Sequence, residues 1–172
     1  MKSISYNNWS VARAAEIYGI HEWSSGYFGV DDQGQLQCNV TFSDKESTTA
    51  SCKPKSVHVP LMDIIEGIKE RGLDMPVLLR FENLLDDRIT KLNTAFADAI
   101  KSTNYQNHYR GVFPIKVNQQ AQVIEEIAQF GNRYNHGLEA GSKAELIIAL
   151  ANLPSNDACI VCNGYKDDEF IT

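Results

Sequence analysis

The stretch that decides the fold is residues 111–141, GVFPIKVNQQAQVIEEIAQFGNRYNHGLEAG. It begins in an apolar run, residues 109–117, which predicts a strand. It ends in a second short apolar segment, residues 137–140. Between them lies one helical face that Gly131 terminates, formed by Val123, Ile124, Ile127 and Ala128. Strand, helix and strand within about 30 residues indicate a right-handed βαβ unit with parallel strands.

The same alternation continues downstream. Ser142 followed by Glu145 forms a capping box, which predicts the start of a helix. Apolar residues occupy much of the circumference of that helix, so we expect it to be heavily buried; they are Leu146, Ile147, Ile148 and Leu150. Residues 158–162 predict a further strand, and Asp167 or Asp168 would cap one more helix.

Upstream, the pattern predicts a strand over residues 76–81 and then a long helix. One face of that helix carries Leu85, Ile89, Leu92, Phe96 and Ile100. Four strands alternating with helices indicate an α/β fold with a parallel sheet. Such sheets close into barrels only in chains of about 250 residues, whereas this sequence has 172 and ends inside a predicted helix.

The first 75 residues follow a different pattern. Residues 9–18 predict a short helix with Ser10 as its N-cap. Strand formers within residues 21–40, Trp23 among them, surround a turn and predict a β-hairpin. Residues 41–56 predict a flexible loop, and Pro60 opens a helix that Gly72 ends.

Composition narrows the possible functions. The chain is 43% hydrophobic, and its net charge is 16 − 22 = −6, so it resembles a globular protein without the basic patch of a nucleic-acid binder. No apolar run approaches a membrane span, and the first twenty residues lack a secretory signal. Together with four cysteines, these features predict a reduced, cytoplasmic protein.

Candidate catalytic residues lie where the parallel strands end, because active sites of such sheets form at that edge. Lys116 stands among apolar neighbours, and a partly buried amine can attack a carbonyl carbon. From the pattern alone, a loop lysine whose ammonium reaches water is the more common case. Glu139 would face the same edge, where its carboxylate could orient a cationic group or tune the pKa of a neighbouring group. The alternative is an ordinary glutamate at a strand end in solvent.

Other reactive side chains have structural interpretations. Cys159 and Cys162 have CxxC spacing, but they lie in an apolar strand without a second pair, so we expect buried packing cysteines. His108 and His136 precede strands and therefore belong to the edge opposite the candidate site. An anion site at Gly141 and Ser142 is possible at a helix N-terminus, although the capping box already accounts for Ser142.

Three blocks in this order resemble the biosynthetic arginine decarboxylase family. They are FPIKVNQ at residues 113–119, GLEAGSKAEL at 137–146 and IVCNGYKD at 160–167. The N-terminal region resembles the same family through Tyr18-Gly19-Ile20, Trp23 and YFGV at residues 27–30.

The resemblance implies an alanine-racemase-like fold, which is a pyridoxal 5'-phosphate (PLP)-binding (β/α)8 barrel of the TIM type with an accessory β domain. Residues 1–75 would belong to the accessory domain, as would the strand at 76–81. The remainder of residues 76–172 would supply the first three barrel strands. Lys116 would be the Schiff-base lysine, with Glu139 beside the cofactor and Asn163 at the end of the third strand.

The resemblance also implies a reaction, the decarboxylation of L-arginine to agmatine and CO2 in polyamine synthesis. PLP would be the cofactor, with magnesium as a second one whose ligands no carboxylate cluster identifies. We expect no nucleic-acid or membrane partner, and a homo-oligomer in the full-length protein. Two alternatives remain, namely a catalytically inert fragment that acts only by association and a related PLP decarboxylase of another basic amino acid.

The resemblance places the family's phosphate site, its partner for the pyridine nitrogen and its substrate-side residues downstream of residue 172. We therefore expect a chain of these 172 residues alone to bind PLP weakly and to form no agmatine.

Overall fold

The computed structural model describes residues 9–42, 55–153 and 155–171. The chain divides into two compact units, Met1–Asn83 and Leu84–Thr172, and each is described by itself. Within the described residues, no helix combines the length and the apolar content of a membrane span.

The first unit is built on an antiparallel sheet of three strands in the order β1-β2-β3. Its elements are α1 (Val11–Ile17), α2 (Ile20–Ser24), β1 (Phe28–Val30), β2 (Leu36–Phe42), β3 (Lys55–Pro60) and α3 (Leu61–Glu70).

The predicted first helix and its cap are confirmed, since the Ser10 Oγ accepts a hydrogen bond of 3.1 Å from the Arg13 N–H. The interpretation of Trp23 as a strand residue is wrong, because it lies in α2. Gly19, in the left-handed region at φ 59°, lets the chain turn from α1 directly into α2. Trp23 then packs its ring 5.3 Å from that of Phe28.

The predicted hairpin is confirmed as β1 paired with β2, and its turn is fixed by Asp31. One carboxylate oxygen of Asp31 accepts hydrogen bonds from the backbone N–H groups of Gln33 and Gln35, at 2.9 and 2.8 Å. The predicted loop at residues 41–56 is wrong at both ends, where β2 and β3 pair. Residues 43–54 lie outside the described residues.

The strand predicted for residues 76–81 is also wrong. This segment is not helical and pairs with neither sheet. Two of its apolar side chains are open to solvent, with Leu78 74% and Val77 40% exposed. An apolar run alone does not make a strand, because a strand needs a neighbour for its backbone hydrogen bonds.

The second unit is a βα alternation around a parallel sheet in the order β4-β5-β6. It comprises nearly all of α4 (Glu82–Thr103), followed by β4 (Val112–Pro114), α5 (Ala121–Gly131), β5 (Gly137–Ala140), α6 (Lys143–Asn152), β6 (Ile160–Cys162) and α7 (Asp168–Ile171). The predicted α/β class and the three parallel strands of this unit are therefore present.

The register of the parallel strands places Gly137 in close contact with both neighbouring segments. Gly137 pairs with Val112 and donates a hydrogen bond of 2.8 Å to the Gly111 carbonyl. A Cβ atom added at Gly137 would overlap the backbone carbonyl oxygen of Cys159 on the neighbouring strand. Glycine at this position therefore permits the close approach of β5 and β6.

The core of this unit lies between the sheet and α5, as the helical stripe predicted. Ile115, Ile124 and Leu138 are almost completely buried and form its centre, and Ile89 of α4 packs against them. Elsewhere on the same face of α4, Leu85 packs against this core, whereas Leu92 is 44% exposed.

The expectation that α6 is heavily buried is wrong. Only Glu145 and Ala149 are buried, while Ile147 and Leu150 are 67% and 65% exposed. The described elements cover one face of this helix, and its apolar residues extend beyond that face.

The strand predicted over residues 109–117 is shorter than the apolar run. It ends at Pro114, which has no N–H to continue the ladder, and a single 3-10 turn follows over Ile115–Val117. This early end places Lys116 in the turn rather than in the strand.

Candidate functional site at the carboxyl edge of the parallel sheet

Lys116 projects from the 3-10 turn that follows β4. Ile115 is fully buried and anchors the turn, and the Asn118 N–H closes it with a hydrogen bond of 3.1 Å to the Ile115 carbonyl. The Lys116 side chain is 61% exposed. This exposure agrees with the loop lysine that the sequence pattern alone favours rather than with a partly buried amine, and it leaves the amine accessible to a ligand.

Glu139 faces Lys116 from the adjacent strand, because β5 pairs it with Pro114. Its Oε1 lies 3.8 Å from the Lys116 Nζ, and its side chain is 19% exposed. The separation is that of an ion pair rather than of a hydrogen bond. The carboxylate thus supplies negative charge at the amine without taking up its donors.

Asn163 approaches the same carboxylate from the end of β6. Its backbone N–H continues the ladder with a hydrogen bond of 3.2 Å to the Ala140 carbonyl, and its side-chain Nδ2 donates to the Glu139 Oε1. The structure therefore brings together all three predicted site residues, at what we call the carboxyl edge: Lys116, Glu139 and Asn163.

Glu145 connects the loops that carry these residues. It is 8% exposed, and its Oε2 accepts a hydrogen bond of 2.7 Å from the Gly141 N–H. Its Oε1 is 3.5 Å from the Gln119 Nε2, three residues after the lysine. The predicted Ser142 cap is confirmed, since its Oγ accepts from the Glu145 N–H at 3.3 Å, but the carboxylate serves Gly141 instead of completing the capping box.

These hydrogen bonds also bear on the anion site considered at Gly141 and Ser142, at the start of α6. The Gly141 N–H is already paired with the Glu145 carboxylate, and the Glu145 N–H with the Ser142 Oγ. A phosphate that bound to these two N–H groups would have to displace the buried Glu145 carboxylate and the Ser142 hydroxyl. We therefore propose no phosphate site at the N-terminus of α6.

Lys166 is a residue of this edge that the sequence interpretation did not single out. Its Nζ donates to the backbone carbonyls of Asn163 and Gly164. The sequence offers one signal for it, a lysine three residues after the asparagine that ends the strand. That spacing alone does not distinguish it from a solvated lysine.

Cys162 ends β6 directly before Asn163, and Cys159 directly precedes that strand. Cys162 is exposed and Cys159 half-buried, so the expectation of two buried packing cysteines is wrong. Among the described residues, no group of three His, Cys, Asp or Glu side chains could hold a metal ion.

His136 precedes β5 at the opposite, amino edge of the sheet, as its sequence position predicted. It is buried, and burial lowers the pKa of its imidazole below the ordinary value. Within the described residues, its Nδ1 has no hydrogen-bond partner.

Comparison with known proteins matches residues 87–172 to the family described as "Pyridoxal-dependent decarboxylase, pyridoxal binding domain". This match covers half of the chain, and the chain therefore belongs to the pyridoxal-dependent decarboxylase family.

Its relatives carry a more particular name. The chain is 42% identical, over 95% of its length, to the biosynthetic arginine decarboxylase of Gloeobacter violaceus. It is 47% identical, over 93% of its length, to that of Deinococcus radiodurans. It spans about a quarter of the length of these relatives, 24% and 22%.

A solved structure matches as well, the biosynthetic arginine decarboxylase SpeA from Campylobacter jejuni. The match has a TM-score of 0.74 at 33% identity and covers 90% of this chain and 24% of the other. The likeness thus extends through both sequence and fold.

Proposed function

We propose that this chain forms the amino-terminal part of a PLP-dependent arginine decarboxylase that converts L-arginine to agmatine and CO2. The relatives' names and the family assignment support the activity. The single structural observation that carries it is the accessible Lys116 amine, 3.8 Å from the Glu139 carboxylate at the carboxyl edge. In this proposal, β4, β5 and β6 are the first three strands of a (β/α)8 barrel.

The residues present fit a pyridoxal cofactor. An exposed primary amine is the group to which an aldehyde attaches covalently, and Lys116 offers one where parallel α/β sheets bind ligands. When bound, PLP supplies the electron sink that stabilises the carbanion left by loss of CO2. Lys116 would hold the cofactor, and Glu139 and Asn163 would lie beside it.

The chain's own residues then have distinct tasks. Lys116 provides the attacking nitrogen, which must shed its proton first. Before that step, Glu139 holds the protonated amine at the sheet edge by charge, and Asn163 restricts the carboxylate by donating to its Oε1. The Lys116 side chain is flexible, and this arrangement restricts the orientations that its amine can adopt before it reacts.

Among the described residues, no set of three carboxylate, histidine or cysteine side chains converges that could identify a magnesium site. We therefore propose no metal ligand among the residues that the structure describes. The assignment of residues 1–75 to an accessory β domain, a cytoplasmic location and a homo-oligomeric state remain predictions.

Borohydride trapping tests the proposal in the complete gene product that contains this sequence. After incubation with PLP and reduction, peptide mapping should find the phosphopyridoxyl label on Lys116. Lys116→Ala should abolish the label and the release of CO2 from L-arginine. A matched control is Lys91→Ala, since the Lys91 side chain is 58% exposed and pairs with Asp87 within α4.

Each outcome has a definite consequence. A label on another lysine would contradict the assignment of Lys116. A label on Lys116 with CO2 release from another basic amino acid but not from arginine would contradict the substrate. Absence of any label would contradict the attachment of PLP and with it the proposed function.

A further inference from the structure

Lys166 is held by neutral partners on the loop after β6. Its half-buried side chain curls back so that Nζ donates to the Asn163 carbonyl and, at 3.3 Å, to the Gly164 carbonyl. The same ammonium lies 4.4 Å from the ring centroid of Phe170, within the range of a cation–π contact. The charge of this lysine is thus directed into the loop.

Two consecutive carbonyl groups that point at one place repel each other, and a cation between them removes that repulsion. Gly164 adopts φ 77°, in the left-handed region that glycine tolerates. The turn at Asn163 and Gly164 therefore has a conformation that the Lys166 ammonium stabilises.

The end of the loop is fixed independently. The Asp167 carboxylate accepts a hydrogen bond of 3.0 Å from the Phe170 N–H. It also pairs with Lys143 of α6, with Nζ 2.8 Å from Oδ2. Lys166 is therefore attached to an anchored piece of backbone and can hold the preceding turn against it.

That turn controls the orientation of the Asn163 side chain. The Asn163 backbone N–H is bonded to Ala140, and its side-chain Nδ2 to the Glu139 Oε1. A Cβ atom placed on Gly141 would lie 3.1 Å from the Asn163 Oδ1, so the amide also packs closely against the neighbouring loop. A rotation of the turn would withdraw the amide from the carboxylate.

We propose that Lys166 is a positioning residue, which acts through Asn163 to hold Glu139 in place beside Lys116. This inference rests on the proposed function, and it assigns to Lys166 no contact with substrate or cofactor. Removing the ammonium should leave Asn163 chemically intact but poorly oriented.

A double-mutant cycle in the complete, PLP-loaded protein tests the inference. The variants are Lys166→Met, Asn163→Ala and their combination, with Lys91→Met on α4 as the control. Because a hydrogen bond to a charged group is at stake, each single variant should lower kcat/KM for L-arginine about tenfold. The double variant should lose no more than Asn163→Ala alone, since Lys166 acts only through that residue.

Two further measurements do not depend on turnover. The dissociation constant of PLP should rise in Lys166→Met and in the double variant by the same factor as in Asn163→Ala. Hydrogen exchange in the cofactor-free protein should accelerate in the peptide that covers residues 160–171 of Lys166→Met. Lys91→Met should match the parent protein in both.

The failure of this inference is distinguishable from the failure of the proposed function. If the parent protein forms the Lys116 adduct but the two losses multiply in the double variant, Lys166 does not act through Asn163 and the inference is wrong. An unchanged Lys166→Met variant would also overturn it. If the parent protein takes up no PLP, the proposed function fails and the inference fails with it.

Discussion

The two edges of the parallel sheet use polar residues in opposite ways. At the carboxyl edge, Lys116 and Glu139 carry charge, remain at least partly exposed and pair with each other. At the amino edge, the imidazole of His136 is buried against Gly111 and Gly131. The carboxyl edge thus keeps its charged groups accessible, whereas the imidazole at the amino edge is enclosed by packing.

This difference follows from the cost of desolvation. A buried polar atom without a partner destabilises the folded state, while a paired and partly hydrated charge does not. Substitutions at the amino edge should therefore change stability, and substitutions at the carboxyl edge should change chemistry.

The largest effect should come from Gly137→Ala at the amino edge. The new methyl group would overlap the carbonyl oxygen of Cys159, and separating β5 from β6 should lower the free energy of unfolding by about 3 kcal/mol or more. Chemical denaturation and hydrogen exchange of the peptide that covers β5 would measure it. The control is Gly67→Ala in α3, where the added Cβ atom meets nothing within 4 Å. This substitution should raise the free energy of unfolding by up to about 1 kcal/mol, because alanine favours the helix over glycine. Equal stability of the two variants would contradict the close-packing argument.

A smaller effect should be the contribution of His136 to the pH dependence of the free energy of unfolding. Burial lowers the pKa of this imidazole in the folded state, whereas the unfolded chain binds the proton near the ordinary value of 6.5. As pH falls below about 6.5, the unfolded state therefore gains protons first, and the free energy of unfolding should decrease.

His136→Leu should flatten this dependence between pH 7 and pH 5, as measured by denaturation midpoints. The exposed His108 provides the matched control, and His108→Leu should retain the parent slope. A parent slope in His136→Leu would show that other groups determine the acid response.

The smallest effect on stability should come from Gly141→Ala at the carboxyl edge. Its Cβ would meet side-chain atoms, at 3.1 Å from the Asn163 Oδ1 and 3.4 Å from the Glu145 Oε2, and these can shift. Unfolding free energy should change by no more than about 1 kcal/mol, whereas PLP affinity should fall severalfold. Titration with PLP would measure the affinity, and a denaturation curve would measure the stability. If Gly141→Ala lost as much stability as Gly137→Ala, the proposed difference between the two edges would be wrong.

The sequence predicted the carboxyl edge well because strand order and parallel direction determine it. Once three βα units are recognised, the ends of their strands meet, and the side chains of Lys116, Glu139 and Asn163 fall together. Their catalytic roles stay predictions, since proximity does not establish them. Ser10 and Ser142 were also predictable as caps, because capping is a local interaction.

What the sequence did not predict depends on non-local partners. The apolar run at residues 76–81 pairs with none of the described strands, and the sequence next to the strand at Lys55–Pro60 is polar, so that strand was missed. Ile147 and Leu150 are apolar without a described neighbour to cover them. The role of Lys166 depends on how its own side chain folds back, which spacing does not reveal.

The glycine at position 137 has a consequence for how this protein can mutate. The obstacle to a larger residue there is a backbone oxygen of position 159, and every amino acid carries that oxygen. No second substitution at position 159 can therefore act as a suppressor of Gly137→Ala. A genetic screen for revertants should recover true reversion to glycine, or changes that move a whole strand, in preference to a compensating side chain.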